Sequence, residues 1–282
     1  MRENTPSDEA SMARDRTEDS TDRTEDSTDR MEDSTDRMED STGQPDDSTD
    51  RAENPTGRPD ESAPDSAIVL EGVTKRYGET TALQAVDLAI HPGTFHGLIG
   101  PNGSGKTTLF ALIAGLSNPT AGRVERPSGG VGYSFQEPRF FPELTVRENL
   151  RVFRSLDDDP EPDEWTETLL TELRLEPAAH RRAGELSGGF KKKLDLALSL
   201  LSRPQFLLLD EPLADVDEYS RRRIVDFFDR YCTDDRAILV SSHNAAAFEG
   251  RYDRITILVD GEVRADGDPD DPSVTPYRDR YG

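Results

Sequence analysis

Residues 100–107 read Gly-Pro-Asn-Gly-Ser-Gly-Lys-Thr, a spacing of glycine, lysine and threonine that is typical of a phosphate-binding loop. Glycines let backbone N–H groups turn inward toward phosphate oxygens, and a helix that begins here directs its positive end at the same anion. Lys106 can then reach the β- and γ-phosphates of a nucleotide, and the Thr107 hydroxyl can hold Mg²⁺. The residues expected to contact the nucleotide here are Gly100, Pro101, Asn102, Gly103, Ser104, Gly105, Lys106, Thr107 and Thr108.

A second group of residues that could do chemistry is the pair Asp210-Glu211, which follows the apolar run 206–209. Such a run is typical of a buried parallel strand, and it delivers the next residues to the sheet edge where ligands bind. There Asp210 can bind Mg²⁺ directly or through water, and Glu211 can orient and polarise an attacking water. Taken alone, an Asp-Glu pair after a strand is more often a solvated turn.

Strands must alternate with helices to position these groups. Residues 143–184 are more polar and helix-rich, and Thr145 with Glu148 forms the pattern of a capping box. Asp217 is expected to cap a helix, and Asp260-Gly261 predicts a hairpin. The predicted strands are 68–72, 83–90, 95–99, 129–135, 206–209, 237–241, 255–259 and 262–265, and the other predicted helices are 108–116, 187–201 and 217–231. This alternation predicts an α/β fold with a largely parallel core.

Several weaker signals lie in order along the chain: Tyr77, Gln136, the run Leu186-Ser187-Gly188-Gly189-Phe190, Asp217 and His243. With the loop and the Asp-Glu pair, this order resembles the nucleotide-binding subunit of an ATP-binding-cassette (ABC) transporter over about residues 67–268. The resemblance implies a P-loop NTPase fold of the ABC ATPase type. Such a fold has a mainly parallel core sheet, a small antiparallel β part and an inserted helical subdomain, here at about 138–184.

The same resemblance implies roles for three residues at the site, and ATP with Mg²⁺ as its ligands. Tyr77 resembles the aromatic residue that stacks on adenine. Gln136 resembles the glutamine that touches Mg²⁺ and the lytic water and relays occupancy to the transmembrane partner. His243 resembles the switch histidine that contacts the γ-phosphate, and it joins Glu211 and Gln136 as the expected catalytic residues.

Ser187, Gly188 and Gly189 resemble the family signature, which completes the ATP site of the opposite subunit, and Asp217 resembles a dimer-contact aspartate. The implied partners are a second copy of the chain, facing the first head to tail, and a separate transmembrane permease. The implied function is ATP hydrolysis that drives transport. The segment 138–184 and the Gln136 loop would dock on the permease, at the inner face of the cell membrane.

The signature departs from the usual family pattern, because Phe190 stands where many members have glutamine. Three of the five lysines follow it at 191–193, and this run most resembles export-type and ABC-2-type cassettes. The alternative is that these lysines form a solvated helix face near the nucleotide. Import against export stays open. The short interval between the loop and the signature argues against a soluble ABC ATPase of DNA repair or translation, and the intact Lys106, Asp210, Glu211 and His243 argue against a non-hydrolysing regulatory cassette.

Composition limits the partners. The 282 residues include 34 Lys+Arg and 58 Asp+Glu, for a formal net charge of −24. No direct nucleic-acid binding is expected, because phosphate contacts need clustered Lys and Arg. The acidic, lysine-poor composition is typical of salt-adapted proteins, whose carboxylates keep the surface hydrated, although an ordinary acidic protein is the alternative. The single cysteine, Cys232, fits a reducing cytosol, and no apolar run approaches the ~18–20 residues that span a bilayer.

The first 66 residues are of low complexity and carry 22 acidic residues against 8 arginines. A seven-residue unit rich in Thr, Asp, Glu and Ser repeats at 17–23, 24–30 and 31–37, with looser copies at 38–44 and 45–51. So few apolar residues cannot offset the cost of ordering a backbone, which predicts a disordered acidic tail. The predicted organisation is therefore a tail at 1–66, an ABC ATPase domain at 67–268 and a polar C-terminal tail at 269–282.

Overall fold

The computed structural model describes residues 67–241 and 245–281, so the predicted 1–66 tail and His243 lie outside the described residues. Within those ranges the chain forms nine strands and six α-helices. The strands are β1 (Ile68–Tyr77), β2 (Thr80–Ile90), β3 (Phe95–Ile99), β4 (Ala121–Glu125), β5 (Val131–Ser134), β6 (Phe206–Asp210), β7 (Ala237–Ser241), β8 (Arg254–Val259) and β9 (Glu262–Gly267). The α-helices are α1 (Lys106–Ile113), α2 (Val146–Arg154), α3 (Asp163–Glu172), α4 (Gly188–Ser199), α5 (Glu218–Tyr231) and α6 (Thr275–Tyr281).

The strands form two sheets, as the predicted fold requires. The larger sheet has the order β5-β6-β7-β3-β8-β9, in which every neighbouring pair is parallel except the last. The smaller sheet, β2-β1-β4, is antiparallel. Because β3, β5, β6 and β7 run in one direction, the loops that follow them emerge at the same sheet edge.

The central strands are apolar throughout because both faces of the larger sheet are covered. Successive side chains of a strand point to opposite faces. Leu207 and Leu209 accordingly join a buried cluster with residues of α2 to α5, whereas Phe206 and Leu208 join one with residues of α1, β1 and β2. The sheet is thus held between two cores, and the edge that carries the loops is fixed from both sides.

The capping residues predicted at the starts of two helices are observed. The Thr145 hydroxyl accepts from the Glu148 N–H (3.2 Å) and the Glu148 carboxylate accepts from the Thr145 N–H (2.8 Å), so the capping box at the start of α2 is confirmed. Asp217 caps α5 by accepting from the Ser220 N–H at 2.9 Å. No helix among the described residues is long and apolar enough to cross a membrane.

The end of the chain differs from the predicted polar tail at 269–282. Residues 275–281 form the short helix α6, and Val274 just before it is fully buried. Tyr277 and Tyr281 pack in the same small cluster, which includes Ile99 and Ile255. Apolar residues at intervals of three and four place one face of this segment against the sheet.

Candidate functional site

The phosphate-type loop joins β3 to α1, and its glycines are required by the space around them. A Cβ on Gly100 would lie 1.9 Å from the Leu258 carbonyl oxygen on β8, so no larger residue fits. Gly105 has φ = +105° and immediately precedes α1. The loop therefore rests directly on the sheet edge and leaves the first N–H groups of α1 directed at the space above it, as an anion site requires.

Lys106 is the buried cation of this loop. Its ammonium donates to the carbonyl oxygens of Gly100 (2.7 Å) and Pro101 (3.1 Å). Burial lowers the pKa of Lys106, while the carboxylates of Asp210 and Glu211 act in the opposite direction. The positive charge is thus held inside the loop by neutral carbonyls, where phosphate oxygens are the stronger partner for an ammonium group.

Asp210 lies at the end of β6, 1% exposed, between the loop and β7. One carboxylate oxygen accepts from the Thr107 hydroxyl at 2.8 Å, and the other accepts from the Ser241 hydroxyl at 2.5 Å. The Tyr133 hydroxyl lies 3.4 Å from the oxygen that Thr107 contacts. A carboxylate beside a hydroxyl is a hard oxygen donor set, so the chemistry of these residues fits Mg²⁺.

Glu211 and Gln136 face each other at the same edge. The Gln136 amide lies 3.4 Å from a Glu211 carboxylate oxygen. Glu211 has φ = +51°, an uncommon conformation for a residue with a Cβ, and its N–H donates to the Ser241 carbonyl at 3.1 Å. Strain of this kind is seen chiefly where the surrounding structure holds a functional side chain in place.

These groups border one cleft of about 360 Å³, which brings together the loop, Gln136 and the Asp-Glu pair. Its lining residues are Ala82, Asn102, Gly103, Gly105, Lys106, Thr107, Thr108, Gln136, Asp210 and Glu211. Tyr77 is not among them, but its ring is 53% exposed at the end of β1. The Lys75 ammonium lies 5.0 Å from the centre of that ring, which is within the range of a cation–π contact.

The signature residues and Asp217 lie outside this cleft. Ser187 is the exposed residue before α4, and its side chain makes no capping hydrogen bond. A Cβ on Gly189 would lie 2.6 Å from the Asp215 carbonyl oxygen, so the signature backbone packs directly on the loop that precedes Asp217. The structure therefore separates the two halves of the predicted site within one chain.

The lysine run at 191–193 differs from the predicted solvated helix face. Lys192 and Lys193 are buried, which makes the solvated-face prediction wrong for both. The Lys192 ammonium donates to the main-chain carbonyl of Asp210 at 2.9 Å, close to the expected Mg²⁺ ligand. Lys193 instead donates to the Ser220 hydroxyl at 2.6 Å and lies 3.7 Å from the Asp217 carboxylate.

Sequence reasoning missed three residues of this region: Lys192, Ser241 and Tyr133. Ser241 could have been found, because it ends the apolar strand β7 and pairs in register with Asp210. Tyr133 carries no sequence signal of its own, and nothing in the sequence distinguishes Lys192 from the other two lysines of its run.

Known proteins have chains similar to this one. The family model for ABC transporter matches residues 83–214. The Nod factor export ATP-binding protein I of Rhizobium etli is 33% identical over 219 residues, covering 73% of this chain and 69% of that protein. The aliphatic sulfonates import ATP-binding protein SsuB of Rhodopseudomonas palustris is 35% identical over 206 residues, covering 71% of this chain and 73% of that protein.

A solved structure shows the same fold. It is the dimeric structure of an ATP-binding cassette in a post-hydrolysis state, bound to ADP and Pi. The TM-score is 0.66 at 27% sequence identity, and the match covers 71% of this chain and 98% of that one. From the ordered motifs, the two-sheet fold and these relatives, the chain belongs to the ABC transporter family, among its ATP-binding cassettes.

Proposed function

We propose that the chain binds and hydrolyses ATP with Mg²⁺ between two copies arranged head to tail, and that this cycle drives a separate membrane permease. The observation that carries the proposal is the division of the site. The loop, Asp210, Glu211 and Gln136 share one cleft, whereas Ser187 and Asp217 lie outside it. A second copy that offers its Ser187 region would complete the cleft.

Binding rests on the loop and on Tyr77. The free N–H groups at the start of α1 and the Lys106 ammonium take the phosphates, and the exposed Tyr77 ring offers a stacking surface for the adenine. Thr107 and Asp210 would hold Mg²⁺, which when bound supplies neutralisation of phosphate charge.

Hydrolysis rests on Glu211. Its carboxylate accepts a proton from a water placed in line with the γ-phosphate, and Gln136, 3.4 Å away, orients the same water. His243 is proposed to contact the γ-phosphate. The carboxyl ends of β6 and β7, after which Glu211 and His243 follow in the sequence, lie side by side, since Asp210 and Ser241 are paired in register.

Dimerisation follows from the signature. The γ-phosphate would contact Ser187, Gly188 and Gly189 of the partner subunit, so ATP joins the two copies, and its cleavage removes that contact and lets them open. The copies need not be identical in a cell, but one chain carries both halves of the interface and can pair with itself about a two-fold axis.

The permease would dock on residues 138–184 and the Gln136 loop, at the inner face of the membrane. Phe141 and Leu156 support this surface, because both are large apolar side chains left exposed there. The named relatives are transport ATP-binding proteins of export and import type, so the soluble repair or translation readings are not favoured, and the direction of transport stays open.

The test is the change Glu211→Gln, which keeps shape but removes the proton acceptor. ATP turnover should fall about 100-fold or more, because general base catalysis typically contributes that much. The variant should then accumulate as an ATP-bound dimer in size-exclusion chromatography with Mg²⁺ and ATP, whereas the parent is mainly monomeric.

Lys106→Ala is the matched control and should stay monomeric, because it loses the cation that holds the bridging phosphate. A Glu211→Gln chain that turns over near the parental rate refutes the catalytic role of Glu211. A chain that neither hydrolyses nor dimerises refutes the head-to-tail arrangement.

A further inference from the structure

Lys192 is a buried lysine that joins the two segments carrying Gln136 and Glu211. It lies in the first turns of α4, and its side chain is 2% exposed. The ammonium donates to the carbonyl oxygens of Phe135 (2.5 Å) and Asp210 (2.9 Å). Each of these carbonyls belongs to the residue immediately before a proposed catalytic side chain.

The two strands need this link because their own pairing ends just before it. The ladder between β5 and β6 stops at Ser134 and Leu209. Past that point the backbones have no ladder bond to each other, and an ammonium group with three donors and no acceptor can hold both carbonyls at once. Lys192 therefore joins the two backbones where the ladder between β5 and β6 has ended.

Asp195, three residues further along the same face of α4, holds the other side of the Gln136 segment. Its carboxylate accepts from the Ser134 hydroxyl at 2.7 Å and from the Arg139 N–H at 2.9 Å. Burial raises the pKa of Asp195, and these bonds together with the Lys192 charge act in the opposite direction. Helix α4 thus contacts the chain on both sides of Gln136 through two buried, oppositely charged residues.

We propose that Lys192 is a positioning residue for ATP hydrolysis, which holds the Gln136 and Glu211 backbones at the separation that places the attacking water. The proposal rests on the function proposed above. It assigns Lys192 no contact with the nucleotide, because its ammonium is used on main-chain carbonyls behind the cleft. Loss of Lys192 should therefore slow the chemical step and leave ATP binding unchanged.

The experiment compares Lys192→Met, Lys192→Arg and the parent for turnover and for affinity, the latter with a fluorescent ATP analogue and Mg²⁺. Lys192→Met keeps the length of the side chain and removes the donors. Its kcat should fall at least about tenfold, which corresponds to about 1.4 kcal/mol, with the nucleotide Kd within about threefold of the parent. Lys192→Arg keeps charge and donors and should recover kcat to within about threefold of the parent.

The matched control is Lys191→Met, one residue earlier on α4. Lys191 is only half-buried, and its side chain makes no hydrogen bond to the described residues, so kcat and Kd should both stay parental. Thermal melts of all variants separate loss of fold from loss of rate. If Lys192→Met does not fold, Lys192→Leu, which also has no hydrogen-bond donor, is held to the same two criteria.

A folded Lys192→Met or Lys192→Leu chain that turns over within threefold of the parent overturns the positioning role, as does a Kd that rises as much as kcat falls. An Arg variant as slow as the Met variant also overturns it. A parent chain that hydrolyses no ATP overturns the proposed function itself, and the positioning role with it.

Discussion

Replacing Ser241 with alanine should destabilise the chain by removing one hydrogen bond to a buried carboxylate. Ser241 is fully buried and donates at 2.5 Å to one oxygen of Asp210, itself 1% exposed. Thr107 and Tyr133 contact the other oxygen, so no side chain among the described residues replaces the lost donor.

The magnitude follows from the charge and the burial. A hydrogen bond to a charged group contributes about 1.5–3 kcal/mol, and because both partners are buried, solvent neither screens the bond nor replaces it. For a chain of this size that corresponds to a fall in Tm of about 3–12 °C. Urea unfolding and thermal melts of Ser241→Ala against the parent measure it.

Ser273→Ala is the matched control. Ser273 donates at 2.7 Å to the Asp271 carboxylate, but Ser273 is exposed and Asp271 is only half-buried, so its loss should change stability by less than about 0.5 kcal/mol. Equal and small effects for Ser241→Ala and Ser273→Ala would refute the claim that Asp210 is held by buried donors.

Three further predictions concern other parts of the molecule. Burial lowers the pKa of His96 to about 4 from 6.5, so the unfolded chain takes up a proton first, and the unfolding free energy should fall by about 2 kcal/mol from pH 7.5 to 5 in urea titrations. His96→Gln should flatten that fall, and an unchanged slope would exclude His96 as its source. Tyr77→Ala should raise the ATP Kd about 5- to 150-fold, and Tyr77→Phe should not, because stacking needs the ring alone; equal affinities of both variants and the parent remove that role. With a net charge of −24, Tm should rise with KCl up to about 1 M, where the Debye length is ~3 Å, and a flat profile ends the salt-adaptation hypothesis.

The sequence predicted the central strands best. The bounds of β3 and β7 match their prediction, because a strand buried on both faces is an unbroken apolar run between polar residues. The hairpin of β8 and β9 is equally local, since Asp260 and Gly261 both have φ above +50° as its two-residue turn requires. Patterns of this kind need no knowledge of the rest of the chain.

Elements whose form depends on distant neighbours were not predicted. β4 was missed because four of its five residues are exposed and it has no apolar alternation; it exists by pairing with β1. The sequence of helix α6 predicts a polar tail, since only its contacts with the sheet show which of its residues are buried.

The candidate site likewise contains residues that the sequence predicts and residues that it does not. Motif spacing predicted Lys106, Thr107 and Asp210, and the structure brings them to one edge of the sheet. Lys192 could not be predicted, because a lysine in a charged run is ordinarily solvated, and only the fold supplies the two carbonyls that hold it. Tyr77, Ser187, Asp217 and His243 remain predictions of role.

The most direct test of a site shared between two copies is complementation by two inactive chains. Lys106→Ala destroys the loop half of the site. Ser187→Glu destroys the signature half, because its exposed side chain tolerates the change but its new charge repels phosphate. Each chain alone should be inactive, since two copies of the same variant cannot form a site that has both halves.

Mixed in equal amounts, the two chains should regain ATPase activity. Random pairing brings unlike chains together in about half of the encounters, and one of the two sites in such a pair is intact, so activity should reach up to about a quarter of the parental value. A mixture as inactive as its components, from chains that fold and with a Ser187→Glu chain that still binds ATP, would contradict a site built from two subunits. Full activity of Ser187→Glu alone would contradict it as well.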